Sequence, residues 1–161
     1  MRVEPSVVTN NAFVEGGAYQ TVPRDPLERS WGSFSERGNP SIGRFESEPI
    51  EACRAGRLRL QVAGYLGGKK QYLAVKDLRT GRETAVRIGA LPREGWLETT
   101  VPCPEGPYAL IAQDETPDTW FAFREPVEIG WGSSLAESLI ARGRGLLFLS
   151  LGFAFLAARL T

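Results

Sequence analysis

The side chains most able to do chemistry are scattered carboxylates: Glu46, Glu48, Glu51, Asp77, Asp114, Glu115 and Asp118. Two of them brought together on facing strands could serve as acid and base on a glycosidic bond, but nothing in their spacing marks such a pair. The chain has no histidine, which removes the commonest general base and metal ligand. A serine or cysteine nucleophile would therefore lack its usual partner. The two cysteines, Cys53 and Cys103, stand in no metal-ligand spacing. One disulfide in an oxidising compartment and two buried thiols are both compatible with them. The run Asp114-Glu115-Thr116-Pro117-Asp118 could offer oxygens to calcium, yet an ordinary turn explains it better. No catalytic set, metal or cofactor is implied.

Sugar binding is the chemistry the aromatic residues would suit. Trp31, Tyr65, Trp96, Trp120 and Trp131 could supply a flat platform, and acids such as Asp114 and Asp118 could bond hydroxyls. Trp96, Trp120, Asp114 and Asp118 are the candidate sugar-binding residues. In a β-sandwich, however, most tryptophans belong to the core. Trp120-Phe121-Ala122-Phe123 is apolar on both faces, which suggests a strand covered on both sides by a partner or by a membrane-proximal helix.

The elements that would position these residues are short strands. Residues 57–63 (RLRLQVA) alternate polar and apolar, the pattern of a strand with one wet face. Residues 71–76, 83–88, 97–101, 107–113, 120–123 and 127–129 add further strands, separated by Gly or Pro turns with no helix between them. That pattern predicts an all-β, antiparallel β-sandwich of the jelly-roll kind and excludes a parallel α/β sheet, which needs crossover helices. The glycine pairs lack the strand–loop–helix context of phosphate cradles and read as turns. Residues 1–30, with Gly16-Gly17, Pro23 and Pro26, read as an extended arm that lies along a partner or along its own domain, with Phe13 and Tyr19 its candidate contacts.

The words Trp31-Gly32-Ser33-Phe34, Ser47-Glu48-Pro49-Ile50 and Leu60-Gln61-Val62-Ala63-Gly64-Tyr65 carry a resemblance. So do Gly95-Trp96, Gly106-Pro107-Tyr108-Ala109-Leu110, Ala112-Gln113-Asp114 and Trp120-Phe121-Ala122-Phe123. Together they resemble a β-sandwich domain attached to bacterial integral-membrane proteins of the glycosyltransferase type. The resemblance implies a galactose-binding-like jelly roll, the fold also used by many carbohydrate-binding modules, followed directly by membrane helices. One greasy helix follows here in place of a catalytic membrane region, so no transferase activity and no ligand residues carry over.

Residues 145–158 (GLLFLSLGFAFLAA) are uncharged and apolar all round a helical wheel. As a helix they span about 21 Å, short of the roughly 30 Å hydrocarbon core. Ser134-Leu135-Ala136-Glu137 fits a capping box that would lengthen the helix upstream. Arg142, Arg144 and Arg159 could snorkel at the ends. The segment reads as a C-terminal transmembrane helix, with packing on the domain or a partner as the alternative. Leu146, Leu147, Phe148, Leu151, Phe153 and Phe155 are the expected membrane or partner contacts, and Trp131 lies near the headgroups.

The 161 residues carry 19 basic and 19 acidic side chains, net charge zero, with no basic stripe, so nucleic acid is not expected as a partner. The division expected is an arm (1–30), a sandwich (31–129) and a C-terminal helix (130–161). The N-terminal residues contain no apolar h-region and do not read as a signal peptide. The resemblance leans to an extracytoplasmic (periplasmic) sandwich, and that face is preferred over the cytoplasmic one. The function expected is a non-catalytic, membrane-anchored accessory subunit, its partners integral-membrane protein subunits and the lipid bilayer. The alternative is a carbohydrate-binding module facing an envelope or lipid-linked glycan.

Overall fold

A computed structural model of the chain describes residues 3–9, 12–19, 22, 28–34, 40–67, 70–90 and 93–130. The strands are β1 (Pro5–Val8), β2 (Val14–Glu15), β3 (Ser30–Gly32), β4 (Gly43–Ser47), β5 (Arg57–Gly64) and β6 (Gln71–Asp77). They continue with β7 (Glu83–Ala85), β8 (Arg93–Pro102), β9 (Tyr108–Asp114), β10 (Phe121–Arg124) and β11 (Val127–Ile129). One sheet has the order β1-β4-β9-β6-β7. The other has the order β11-β5-β10-β3-β2, with β8 paired to β5. Chain neighbours repeatedly cross between the sheets, the wiring of a jelly roll.

The alternation of β5 decides what each face of the second sheet presents. Leu58, Leu60 and Val62 are fully buried, so Arg57, Arg59 and Gln61 must point the other way. From the first sheet, Phe45, Leu73, Val75, Tyr108 and Leu110 meet Trp31, Leu58, Leu60, Val62, Phe121 and Phe123 of the second in one core. Phe45 and Phe123 pack edge-on across it with ring centroids 5.3 Å apart. Antiparallel register fixes the edges of β5. Val62 stands opposite Leu97 of β8 on one side and Phe123 of β10 on the other.

The described residues between 3 and 30 fall in the same contact unit as the sandwich strands. β1 extends the first sheet by pairing with β4, and β2 extends the second by pairing with β3. Phe13 is 3% exposed and wedges into the core, its ring 5.2 Å from Phe121 and 6.1 Å from both Phe45 and Phe123. A side chain of that kind contributes about 1.5–3 kcal/mol by burial. The sequence missed this because two- to four-residue edge strands show too little periodicity to stand out.

The apolar second face of β10 is also covered from within. Ala18 and Val22 lie with Ala63, Trp120 and Ala122, flanked by Phe34, Tyr65 and Trp96. Tyr19 packs edge-on to Phe34 at 5.2 Å and stacks near Trp120 at 6.4 Å. Over the described part of this strand, Ala18, Tyr19, Val22 and Phe34 take the place of the expected partner or membrane helix. Gly17 and Gly32 make that possible, and neither is a simple turn glycine. A Cβ on Gly32 would lie 1.9 Å from the Gly17 carbonyl oxygen, and one on Gly17 would lie 2.4 Å from the Gly32 oxygen.

Cys53 and Cys103, left open by the sequence, form a disulfide with their Cα atoms 5.7 Å apart. The second contact unit is residues 129–161, of which Ile129 and Gly130 are described. Trp131, Leu146, Leu147, Phe148, Leu151, Phe153 and Phe155 lie outside the described residues. Among the described residues no helix is long and apolar enough to cross a membrane.

The Gly17–Gly32 contact gives a sharp expectation. Gly32→Ala should destabilise the protein by about 1–3 kcal/mol, because backbone must move to admit the methyl group. Gly89→Ala, where a Cβ meets nothing within 4 Å, should stay within about 0.5 kcal/mol of the parent. Urea unfolding followed by tryptophan fluorescence measures both.

Candidate functional site

The outer face of the second sheet has two halves. One is the apolar half beneath Ala18, Tyr19 and Val22. The other is polar, and its side chains come from strands whose outward positions fall in register. Gln61 on β5 stands opposite Glu98 on β8, and Gln61 Nε2 donates to Glu98 Oε1 at 2.9 Å. On the other edge of β5, Arg124 of β10 follows Phe123, so it points outward beside Gln61. Arg124 Nη1 donates to Gln61 Oε1 at 2.6 Å and pairs with Glu28. Arg57 Nη2 donates to Thr100 Oγ1 at 2.6 Å across the β5–β8 pair.

Between β10 and β11 the ladder is interrupted at Glu125-Pro126, where proline offers no N–H. A cleft of about 150 Å³ opens at this break, lined by Glu28, Arg29, Arg59, Gln61, Arg124, Glu125 and Val127. Its groups are held by contacts of their own. Arg29 Nε donates to Glu15 at 2.8 Å and Nη1 to Glu4 at 3.0 Å. These bonds to Glu15 and Glu4 raise the Arg29 pKa above its ordinary value. Glu125 Oε1 accepts from the Val3 amide at 3.1 Å and lies 3.8 Å from Arg29. Val127 is 48% exposed and gives the cleft an apolar wall.

A larger hollow of about 420 Å³ lies by the β6–β7 turn and Cys103, but its polar groups serve the turn. Asp77 Oδ1 accepts from the Thr80 and Arg79 amides at 3.0 and 2.8 Å. Those bonds, Thr80 first, hold the Asp77 carboxyl below its ordinary value. Arg79 pairs with Glu105 in full view of solvent. The cleft at the β10–β11 break is the better-built site.

The residues chosen from sequence for sugar binding do not line that cleft. Trp120 is 5% exposed, closed over by Tyr19, Phe34 and Tyr65, and offers no platform. Trp31 is likewise core. Asp114 is fully buried at the end of β9 and is not a loop acid. Its Oδ2 accepts from Ser33 Oγ at 2.6 Å and Gln71 Nε2 at 3.2 Å, and its Oδ1 from the Thr116 amide at 2.9 Å and the Thr116 hydroxyl. The carboxylate ties β9 of one sheet to the residue after β3 of the other, and its oxygens are already occupied by donors. Asp118 is exposed on the loop beyond it. Trp96 is half-buried on β8, and the Arg124 guanidinium lies 4.3 Å over its ring. Trp96 therefore positions Arg124, an attraction of about 0.5–2 kcal/mol, and does not present a bare stacking face.

Sequence reasoning missed Arg59, Gln61, Arg124, Glu28 and Glu125. The alternation of residues 57–63 did signal that Arg59 and Gln61 face outward. No local pattern signals that residue 124 arrives beside residue 61.

Asp114→Ala is expected to cost about 2–5 kcal/mol, since it strands the buried Ser33, Gln71 and Thr116 donors. Asp118→Ala should change stability by less than about 0.5 kcal/mol. Chemical denaturation distinguishes the structural acid from the surface one.

No family model matches the sequence, and no curated protein matches it. Among solved structures it is similar to a family 29 carbohydrate-binding module complexed with mannohexaose, at 14% identity and a TM-score of 0.40, over 78% of this chain and 89% of that one. It is similar also to a family 61 carbohydrate-binding module in complex with β-1,4-galactotriose, at 16% identity and a TM-score of 0.45, over 79% and 87%. A third is the K1 cleaved adhesin domain of Lys-gingipain from Porphyromonas gingivalis W83, at 14% identity and a TM-score of 0.45, over 78% and 90%. Two of these are named as carbohydrate-binding modules and the third as an adhesin domain. The expectation of an accessory subunit is corrected. Two of its physical grounds are gone among the described residues: Phe13, Ala18, Tyr19 and Val22 of the arm, and the doubly apolar strand, pack within the sandwich.

Proposed function

We propose that this protein is a non-catalytic carbohydrate-binding module that takes a single sugar unit in the cleft at the β10–β11 break. The observation that carries this reading is the linked set Glu98–Gln61–Arg124–Glu28, in which four side chains from separate segments hold one another at the rim of a small concave site. Sugar hydroxyls are donors and acceptors at once, and a site of fixed amide, guanidinium and carboxylate groups answers them without reorganising. Val127 supplies apolar surface for the C–H face of a ring. At about 150 Å³ the cleft is well below the roughly 300 Å³ at which drug-sized sites begin. That suits one ring, with the rest of a glycan lying along the open sheet.

The Cys53–Cys103 disulfide supports an oxidising, extracytoplasmic setting, where such bonds persist and glycans are met. Glu28 and Glu125, the two carboxylates in the cleft, are each committed to an arginine, an arrangement that suits recognition better than acid–base work.

The test is binding of the full-length protein to an immobilised glycan panel, followed by titration of any hit. Binding is expected, and Gln61→Ala should weaken it by roughly fivefold, the loss of about 1 kcal/mol of hydrogen bonding. Arg82→Ala, beside the other hollow, should leave it unchanged. A panel with no hit, or a hit that Arg82→Ala abolishes and Gln61→Ala does not, would overturn the assignment.

A further inference from the structure

The charges of the cleft are not all matched. Glu28 is committed to Arg124, Glu125 to Arg29 and the Val3 amide, and Glu98, beside the cleft, to Gln61. Arg59 lines the same cleft half-buried. Among the described residues its guanidinium makes no hydrogen bond or ion pair. A half-buried cation with five fixed donors is matched best by a planar or tetrahedral oxyanion. Arg57 stands two residues along the same strand and face, about 7 Å away, so an acidic chain running along β5 meets a second guanidinium.

We infer, resting on the carbohydrate reading above, that the ligand is an acidic polysaccharide whose carboxylate or sulfate group sits on Arg59. Neutral hydroxyls are read by Gln61 and Arg124, and the anion is read by Arg59. The anion supplies the partner that the protein does not. Glu28 and Glu125, the two carboxylates of the cleft, each face an arginine other than Arg59, and those arginines screen part of their repulsion toward the anion. Because Arg57 and Arg59 are only partly buried, the attraction is salt-dependent.

The experiment is calorimetric titration of the full-length protein with polygalacturonate and dextran sulfate, each beside its uncharged counterpart, fully methyl-esterified polygalacturonate and dextran. A neutral β-1,4-galactan and a mannan complete the set. Binding to one charged polymer at least tenfold tighter than to its uncharged counterpart is expected, weakening as salt rises. Whichever charged polymer binds distinguishes carboxylate from sulfate. Arg59→Gln should remove about tenfold or more of that affinity, and Arg59→Lys should restore part of it. Thermal melts of both variants should match the parent, since Arg59 holds no other group. Equal binding of charged and neutral polymers, unaffected by Arg59→Gln, overturns this inference and leaves the carbohydrate reading standing. Binding of none of them overturns both.

Discussion

Two glycine backbones pass within contact distance at Gly17 and Gly32, and much of the rest follows from that passage. A methyl group on either would run into the other's carbonyl oxygen. Because none is there, Ala18 and Val22 can reach the second sheet and cover Ala63, Trp120 and Ala122. Strand β10 can then be apolar on both sides without exposing either. The cover is partial, and its limit sets the boundary between a sealed aromatic patch and the open polar half where the cleft lies. Phe13, four residues before Gly17, closes the core against Phe45, Phe121 and Phe123. Phe13, expected from the sequence to be an arm contact, thus closes the core of the sandwich.

The same economy of position governs the polar half. Strand alternation forces Arg57, Arg59 and Gln61 outward because Leu58, Leu60 and Val62 are needed inside. Antiparallel pairing brings Glu98 to one side of Gln61 and Arg124 to the other. Pro126 stops the ladder and opens the gap. Trp96 is neither core nor platform: it joins the sealed patch on one side and steadies the Arg124 guanidinium on the other. A guanidinium so held loses little conformational entropy on meeting a ligand.

How far this was legible in the sequence depends on the range of the interaction. The strands at 57–63, 71–76, 107–113 and 127–129 declare themselves by alternation or by turn residues, and the structure places β5, β6, β9 and β11 there. The stretch 83–88 reads as one strand, whereas β7 spans Glu83–Ala85; Val86 still donates to the Leu73 carbonyl at 2.8 Å and is buried in the core. β1 to β4 did not register, since their pairing partners are far away and their own pattern is two to five residues long. The site was less legible than the fold. Asp114 looks like a loop acid because a Glu-Thr-Pro-Asp turn follows it, yet its role is to bridge the sheets through Ser33 and Gln71. Trp120 looks like a platform because nothing in residues 120–123 says that Tyr19 and Phe34 will cover it. Arg124 meets Gln61 across 63 residues of chain, which no local pattern encodes.

The central claim is that ligand enters at the β10–β11 break, on the open half of the second sheet. Amide chemical-shift mapping of the isotopically labelled full-length protein, titrated with an acidic oligosaccharide, tests it most directly. The account predicts shifts concentrated at residues 28–29, 57–61, 98–100 and 124–127, with the core amides of β6 and β9 unmoved. Shifts concentrated instead at the 77–82 turn and 103–105, or spread over the outer face of the first sheet, would contradict it.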